Sequence, residues 1–439
     1  MKKYHITTFG CQMNVHDSEV LAGLLEKSGY SPAASIEEAD LILLNTCCVR
    51  ENAENRLYGN IGNLKSLKEQ NPDRIIGVCG CMAQQATVVE KIRETYPHVD
   101  LVFGTHNLHE LPRMLKQIEA ERSQLYEIWD SEGEIYEGLP VKRTEPFRAW
   151  VTIMYGCDNF CSYCIVPYVR GRERSRGPEA ILTEVKELIA SGVKEITLLG
   201  QNVNSYGRDL QESNFNFAEL LKEISALDIK RIRFQTSHPK DLSDELIQVM
   251  ADHPQICRHL HLPLQSGSSR ILKLMNRHYT KESYLELAEK IKTKIPAIAL
   301  TTDIIVGFPG ETEADFEDTL DLVQKVGYDG AFTFIYSPRP GTPAAQIEDP
   351  TPMDVKKARL NRLIELQNRI SLQKNRAFVG SLTEVLVEGV SEKNPEVWSG
   401  RNTQNKLIHF KPTSKVKPGD LAIVRITEAR TFTLEGELL

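Results

Sequence analysis

Short apolar runs alternate with stretches of helical periodicity along most of the chain. Residues 4–9 read as a strand, and residues 17–28 as an amphipathic helix with Val20, Leu21, Leu24 and Leu25 on one face. Residues 41–44 and 75–78 are continuous apolar runs, the mark of strands covered on both sides. This alternation predicts a parallel α/β sheet domain over residues 1–118. Residues 119–146 are rich in Glu, Ser and Arg and read as a connector, in which Ile128-Trp129 and Ile135-Tyr136 predict a short strand pair.

From residue 147 the pattern becomes a repeat. Strands are predicted at 149–154, 195–199, 231–236, 259–264, 300–306 and 331–336, with helices at 181–190, 217–227, 243–251, 283–292 and 314–326. Six units without a seventh or eighth predict a partial (β/α)6 barrel, whose site would form at the carboxyl ends of the strands. Pro338, Pro340, Pro343, Pro350 and Pro352 interrupt the repeat, and residues 355–378 then read as one polar helix ending a domain of 147–378. Residues 379–439 carry β-like segments at 383–390, 406–410, 420–427 and 431–437, separated by Gly, Pro and Asn turns, which predicts a small β-barrel. The fold class expected is therefore α/β and multidomain.

Composition narrows the setting. A chain of 439 residues holds several domains, and its formal net charge of -7 confines any nucleic-acid contact to local basic patches. No apolar run approaches the roughly 20 residues that span a bilayer, and residues 6–14 form no signal-peptide core. A cytoplasmic protein with no membrane attachment is expected. Nine cysteines in a reducing compartment point to ligation rather than to disulfides.

Cys157, Cys161 and Cys164 form a CxxxCxxC loop directly after an apolar strand. Three thiolates at this spacing can hold three irons of a cubane cluster and leave the fourth iron open to a chelating small molecule. A zinc knuckle is the plain alternative, but zinc favours CxxC pairs with four protein ligands, and no second pair lies nearby. Cys11, Cys47 and Cys81 each follow a predicted strand. Loops at the carboxyl ends of parallel strands gather at one edge, so the three thiols would converge on a second cluster. Gly10 and Gly80 precede two of them, suiting backbone that passes close to a cluster. Any one of these thiols alone would read as buried packing, and Cys48 and Cys79 are read that way.

Polar residues at other strand ends, among them Gln201, Asn202, Ser237 and Gly307, are candidate cofactor contacts and equally ordinary capping loops. Lys356, Lys357, Arg359, Arg362, Arg369, Lys374 and Arg376 give the long helix a basic face of the usual solvated kind. In the tail, Arg401, Lys406, Lys411, Lys415 and Lys417 cluster, with Trp398 and Phe410 available to stack on bases.

These residues carry a resemblance. Gly10-Cys11-Gln12-Met13-Asn14, Asn45-Thr46-Cys47, Gly77-Val78-Cys79-Gly80-Cys81-Met82-Ala83-Gln84, the run from Tyr155 to Cys161, the run from Ile165 to Arg176 and the run from His261 to Gly267 resemble the methylthiotransferase family of the radical S-adenosylmethionine (SAM) superfamily. The likeness covers essentially the whole chain. It implies an amino-terminal methylthiotransferase domain, a radical SAM core and a carboxyl-terminal TRAM domain that helps to bind tRNA. It also implies two 4Fe-4S clusters, an auxiliary one on Cys11, Cys47 and Cys81 and a SAM-binding one on Cys157, Cys161 and Cys164. Gln201, Asn202, Ser237 and Gly307 then become SAM contacts, and Arg170, Arg172, Arg174, Arg176, Arg401 and Lys406 contacts to RNA. Salt bridges with Glu173 and Glu179 are the alternative for the four arginines just past the cluster loop.

Family members use two SAM molecules per turnover, one to methylate a cluster-borne sulfur and one to open an aromatic C–H bond through a radical. Acid–base chemistry cannot open such a bond. The Gln-Met-Asn after Cys11 resembles the branch acting on N6-isopentenyladenosine in the anticodon stem-loop of tRNA. Other branches act on threonylcarbamoyl-adenosine in tRNA or on an aspartate of a ribosomal protein. The reading from another class is a non-catalytic iron–sulfur RNA-binding protein, which would have no use for an open iron. The remaining expectations are a flavodoxin- or ferredoxin-type electron donor and a monomer.

Overall fold

The computed structural model describes residues 1–48, 51–129, 135–210, 215–391, 394–414 and 416–439, and only the backbone of residues 51–55. Two compact units emerge. The first comprises Met1–Thr144, Met154–Asp158 and Cys164–Arg176, and the second Glu145–Ile153, Asn159–Tyr163 and Gly177–Leu439.

The first unit is built on a six-stranded, all-parallel sheet. Its spatial order is Ser31–Pro32, Lys3–Thr8, Leu41–Thr46, Ile75–Gly80, Leu101–Phe103 and Leu125–Glu127. Side chains alternate across a strand, and here the alternation sorts the core into two layers. Leu41, Leu43, Ile75, Cys79, Leu101 and Phe103 pack on one face, while Ile42, Leu44, Ile76, Val78 and Val102 pack on the other. Both faces are apolar because helices cover both, which is why these strands read as unbroken hydrophobic runs.

Two expectations change here. The first helix spans Gln12–Lys27 and so begins directly after Cys11, not at residue 17. Its first turns are polar in sequence, yet Asn14, His16, Asp17 and Glu19 are buried, and that hid the helix from a periodicity argument. The connector forms no strand pair at 128–129 and 135–136. Its strand among the described residues is Leu125–Glu127, which pairs with Leu101–Phe103 and forms the sheet's edge.

The second unit holds six parallel strands in two sets of three. Arg148–Thr152, Glu195–Leu199 and Arg231–Phe234 form one set, and His259–His261, Ala299–Val306 and Gly330–Ile335 the other. A parallel bridge between Ile232 and Ile256 joins them. Helices Pro178–Ala190, Phe217–Ser225, Asp244–Asp252, Lys281–Lys294 and Glu313–Val326 alternate with the strands. This is the partial barrel expected from the repeat. Met353–Arg376 is the long exit helix.

Beyond it lies a closed five-stranded barrel. Its strand Asn394–Arg401 escaped the sequence reading, because Pro395, Ser399 and Gly400 break the β pattern. Arg148, Glu195 and Arg231 stand at the first residues of three barrel strands and fasten the small barrel there. Arg148 pairs with Glu195 (3.1 Å) and Glu388 (2.6 Å), and Arg231 donates to Arg401 O (2.8 Å) and Glu384 Oε1 (3.0 Å). Arg233 donates to Glu195 Oε2 (2.9 Å) and Asn402 O (2.7 Å). The small barrel therefore docks at the amino ends of the strands, leaving their carboxyl ends to other work. Among the described residues no helix is long and apolar enough to cross a membrane.

Candidate functional site

Three thiols reach one corner of the first unit because the strands that carry them run side by side. Lys3–Thr8, Leu41–Thr46 and Ile75–Gly80 are adjacent and parallel. The pairing continues past each strand, with Phe9 N–H donating to Asn45 O (2.8 Å) and Cys81 N–H to Thr46 O (2.9 Å). Two buried asparagines lock the first two turns together. Asn14 Nδ2 donates to Asn45 Oδ1 (3.1 Å) and Thr46 O (3.0 Å), and Asn45 Nδ2 donates to Asn14 O (2.8 Å).

Gly10 (φ +135°) and Gly80 (φ +91°) hold backbone that an L side chain rarely adopts. A Cβ at Gly10 would run into Cys47, and one at Gly80 into the Asn45 side chain and Thr46 backbone. Gly80 also explains the CxC pair. In a strand, Cys79 and Cys81 would face the same side, but the turn at Gly80 sends Cys81 to the other core layer. Cys79 is thus a packing thiol, which burial pushes well above the usual range.

Charge favours thiolates at the corner. A hydrogen bond with the neighbouring Cys47 thiol, with Arg170 adding its positive charge, pulls Cys11 down to about 6. Cys81 is lowered by Cys48 and by Arg170, whose Nε lies 3.1 Å from its sulfur. Arg170 also donates from Nη2 to Asp17 Oδ2 at 2.7 Å. The thiolate is the form that binds metal. Cys48 lies against Cys81 and is pushed well above the usual range, so it is a protonated neighbour as well as a packing residue. Among the described residues no three His, Cys, Asp or Glu side chains converge closely enough to hold a single metal ion. A cubane asks for less, since each thiolate meets its own iron.

The CxxxCxxC loop is pinned along its length. In the first unit, Cys157 N–H donates to Gly171 O (3.0 Å), and Gly156 (φ +74°) passes where a Cβ would strike the Arg172 backbone. In the second unit, Ser162 N–H donates to Met275 O (3.0 Å) and Ser162 Oγ to Leu274 O (2.8 Å). Cys161 is buried beside Arg277, whose Nη1 lies 3.4 Å from its sulfur.

Buried polar atoms gather at the carboxyl ends of the second unit's strands. Among the described residues, Gln201 Oε1, Asn202 Oδ1, both side-chain polar atoms of Asn204, Ser237 Oγ and His238 Nε2 find no hydrogen-bond partner. Their two loops touch, since Val203 N–H donates to Thr236 O (3.1 Å). Buried polar groups are nearly always paired, so this set suits a polar ligand. Burial, with Arg277 and Lys240 nearby, pushes His238 down to about 2, so its ring is neutral. Its Nδ1 accepts from Lys240 N–H (3.3 Å), which leaves the proton on the buried Nε2. Thr236 and Gln265, at two strand ends, both hold φ +69°, a strained setting for non-glycine residues. Gly307 differs, because its N–H is already taken by Glu311 Oε1 (3.0 Å).

The expected RNA contacts divide. Arg170, Arg176 and Lys406 are buried in ion pairs with Asp17 (2.7 Å), Glu137 (2.5 Å) and Asp329 (2.9 Å), which removes them from any surface a phosphate could reach. Phe410 is likewise core and unavailable for stacking. Arg172 keeps a largely exposed side chain near Asp158 (3.3 Å), Arg174 lies over the Tyr155 ring, and Arg401 is part-buried near Glu388 (3.2 Å). Lys415 lies outside the described residues. Asp17, Asn14, Asn45 and Arg277 were missed as site residues, since their places depend on elements distant in sequence.

Comparison with known proteins agrees with this anatomy. Residues 3–104 match the Uncharacterized protein family UPF0004, residues 151–323 the Radical SAM superfamily and residues 376–439 the TRAM domain. The arrangement is that of a multidomain radical SAM protein. The chain is 56% identical over 439 residues to the tRNA-2-methylthio-N(6)-dimethylallyladenosine synthase of Acetivibrio thermocellus, covering 100% of this chain and 91% of the relative. It is also 56% identical to that of Carboxydothermus hydrogenoformans, over 100% and 99% of the two chains. The chain belongs to the tRNA-2-methylthio-N(6)-dimethylallyladenosine synthase family. Among solved structures, the radical SAM methyltransferase TsrM from Kitasatospora setae, with cobalamin and a 4Fe-4S cluster bound, aligns with a TM-score of 0.56 at 16% identity, over 79% of this chain and 77% of that one. The cobalamin-dependent radical SAM enzyme OxsB aligns at 0.52 with 15% identity, over 84% and 56%. At such identities these two likenesses establish the fold alone.

Proposed function

We propose that this chain converts N6-isopentenyladenosine beside the tRNA anticodon to its 2-methylthio derivative. It is a transferase of the radical SAM class, with SAM and 4Fe-4S clusters as cofactors and tRNA as substrate. The observation that carries the site assignment is the convergence of Cys11, Cys47 and Cys81, from three separate strands, on one corner. In this reading they hold an auxiliary cluster, and Cys157, Cys161 and Cys164 hold the SAM cluster, two in all. When bound, the clusters supply one-electron reduction of SAM and an open iron on which sulfur can wait.

The chain's own residues do the rest. Asn14 and Asn45 hold two auxiliary ligands in register. Gln201, Asn202, Asn204, Ser237 and His238 offer a mixed donor and acceptor set for the polar parts of SAM. Arg172, Arg174 and Arg401 supply phosphate contacts that position the RNA. We assign residues 1–118 to the sulfur-donating cluster, 119–146 to the connector, 147–378 to SAM cleavage and 379–439 to tRNA binding. A flavodoxin- or ferredoxin-type donor, a monomer and a cytoplasmic setting complete the proposal.

Mass spectrometry of tRNA nucleosides from cells lacking this chain is the test. The expected result is loss of 2-methylthio-N6-isopentenyladenosine with accumulation of N6-isopentenyladenosine. Unchanged isopentenyladenosine products, with loss of a methylthio group from threonylcarbamoyl-adenosine or from a ribosomal aspartate, would overturn it.

A further inference from the structure

Each proposed cluster site contains one buried arginine aimed at one of its thiols. Arg170 Nε lies 3.1 Å from Cys81 Sγ, and Arg277 Nη1 lies 3.4 Å from Cys161 Sγ. Arg170 is 6% exposed and Arg277 7%. Neither therefore serves as a surface cation, and each must be compensated from within.

The compensation differs. Arg170 pairs with the Asp17 carboxylate at 2.7 Å. Arg277 donates to Tyr279 Oη (3.0 Å) and Pro263 O (3.1 Å), and among the described residues no carboxylate is paired with it. The guanidinium also lies over the Tyr279 ring, so neutral groups and one sulfur surround it, and negative charge on that sulfur would offset its own. A thiolate ligating a cluster provides it.

We propose that Arg170 and Arg277 are positioning residues, each donating a hydrogen bond from a buried guanidinium to one ligating thiolate and thereby raising the reduction potential of the cluster that thiolate holds. The inference rests on the thiol assignment above. Its sign follows from charge. Reduction adds an electron to the cluster, and a cationic donor at a ligand sulfur stabilises the reduced form more than the oxidised one. Arg277, whose charge no carboxylate offsets, should move its cluster further than Arg170, which Asp17 already neutralises.

Redox titration followed by electron paramagnetic resonance tests this on the full chain, anaerobically reconstituted, with one cluster present at a time. A Cys11→Ala/Cys81→Ala background leaves the SAM cluster, and a Cys157→Ala/Cys161→Ala background leaves the auxiliary one. Each should hold about four irons. In the first background Arg277→Met should lower the midpoint potential. In the second, Arg170→Met/Asp17→Asn, which removes both charges together, should lower it by less. Should Arg277→Met not load iron, Arg277→Gln is read in its place with the same expectation. Full iron with an unmoved midpoint would overturn the inference and leave the thiol assignment standing. A background that takes up no four-iron cluster would overturn the thiol assignment, and this inference with it.

Discussion

The two thiol sites are made in opposite ways. Cys157, Cys161 and Cys164 lie within eight residues, so a single loop with Gly156 and Phe160 at positive φ can present them. Cys11, Cys47 and Cys81 are spread over seventy residues of sequence, and only the parallel pairing of their strands brings them together. The first kind of site is robust to changes elsewhere in the sheet. The second inherits the stability of the sheet, because its geometry is the sheet's geometry. The lesson is that a ligand set can be local or borrowed from the fold, and that mutations far from any ligand should separate the two.

The largest effect expected is from Cys81→Ala. Iron should fall from about eight to about four per chain, with SAM cleavage kept and sulfur insertion lost. Iron analysis and product mass spectrometry check it, and loss of SAM cleavage as well would refute the division of labour. Gly80→Ala comes next. Its φ of +91° and the collision with Asn45 and Thr46 should cost about 2–4 kcal/mol in denaturant unfolding. It should take the auxiliary iron with it and spare the loop's iron, and equal loss from both sites would erase the contrast drawn above.

The second unit can be tested through its buried histidine. His238 is held down to about 2, against about 6.5 when unfolded. Above pH 6.5 neither state binds the proton, so stability is complete. As pH falls below it, the unfolded chain takes the proton first and stability drops, by at most about 1.4 kcal/mol per pH unit. Unfolding curves at pH 7 and pH 5.5 should differ less for His238→Gln than for the parent. Ser237→Ala should weaken SAM binding roughly fivefold, the worth of one hydrogen bond, by titration of the reconstituted protein. Smallest of all, Cys48→Ala should leave the iron content unchanged, whereas Cys47→Ala should not. The reverse result would show that the two adjacent thiols have exchanged roles.

Much of this was legible in the residues themselves. Continuous apolar runs marked the buried strands, the strand–helix repeat marked the barrel, and the CxxxCxxC spacing marked one candidate ligand loop, because periodicity and spacing act over a few residues. The convergence of the other three thiols followed from one further rule, that parallel strands deliver their following loops to one edge. Periodicity did not show the start of the first helix, whose polar residues are buried by partners such as Asn45 and Arg170. Nor did it show which arginines face solvent. Arg170, Arg172, Arg174 and Arg176 look alike in sequence, yet Asp17 and Glu137 draw two of them inside.

By itself, then, the sequence determined the elements, their order and the kinds of group available for chemistry, since each of those is set by neighbours along the chain. Tertiary structure alone decided which charges are buried, which polar atoms are left without partners and which arginine meets which thiol. Those outcomes depend on desolvation and on pairing between residues far apart in sequence, 153 positions for Asp17 and Arg170 and 240 for Arg148 and Glu388, and no local pattern encodes them.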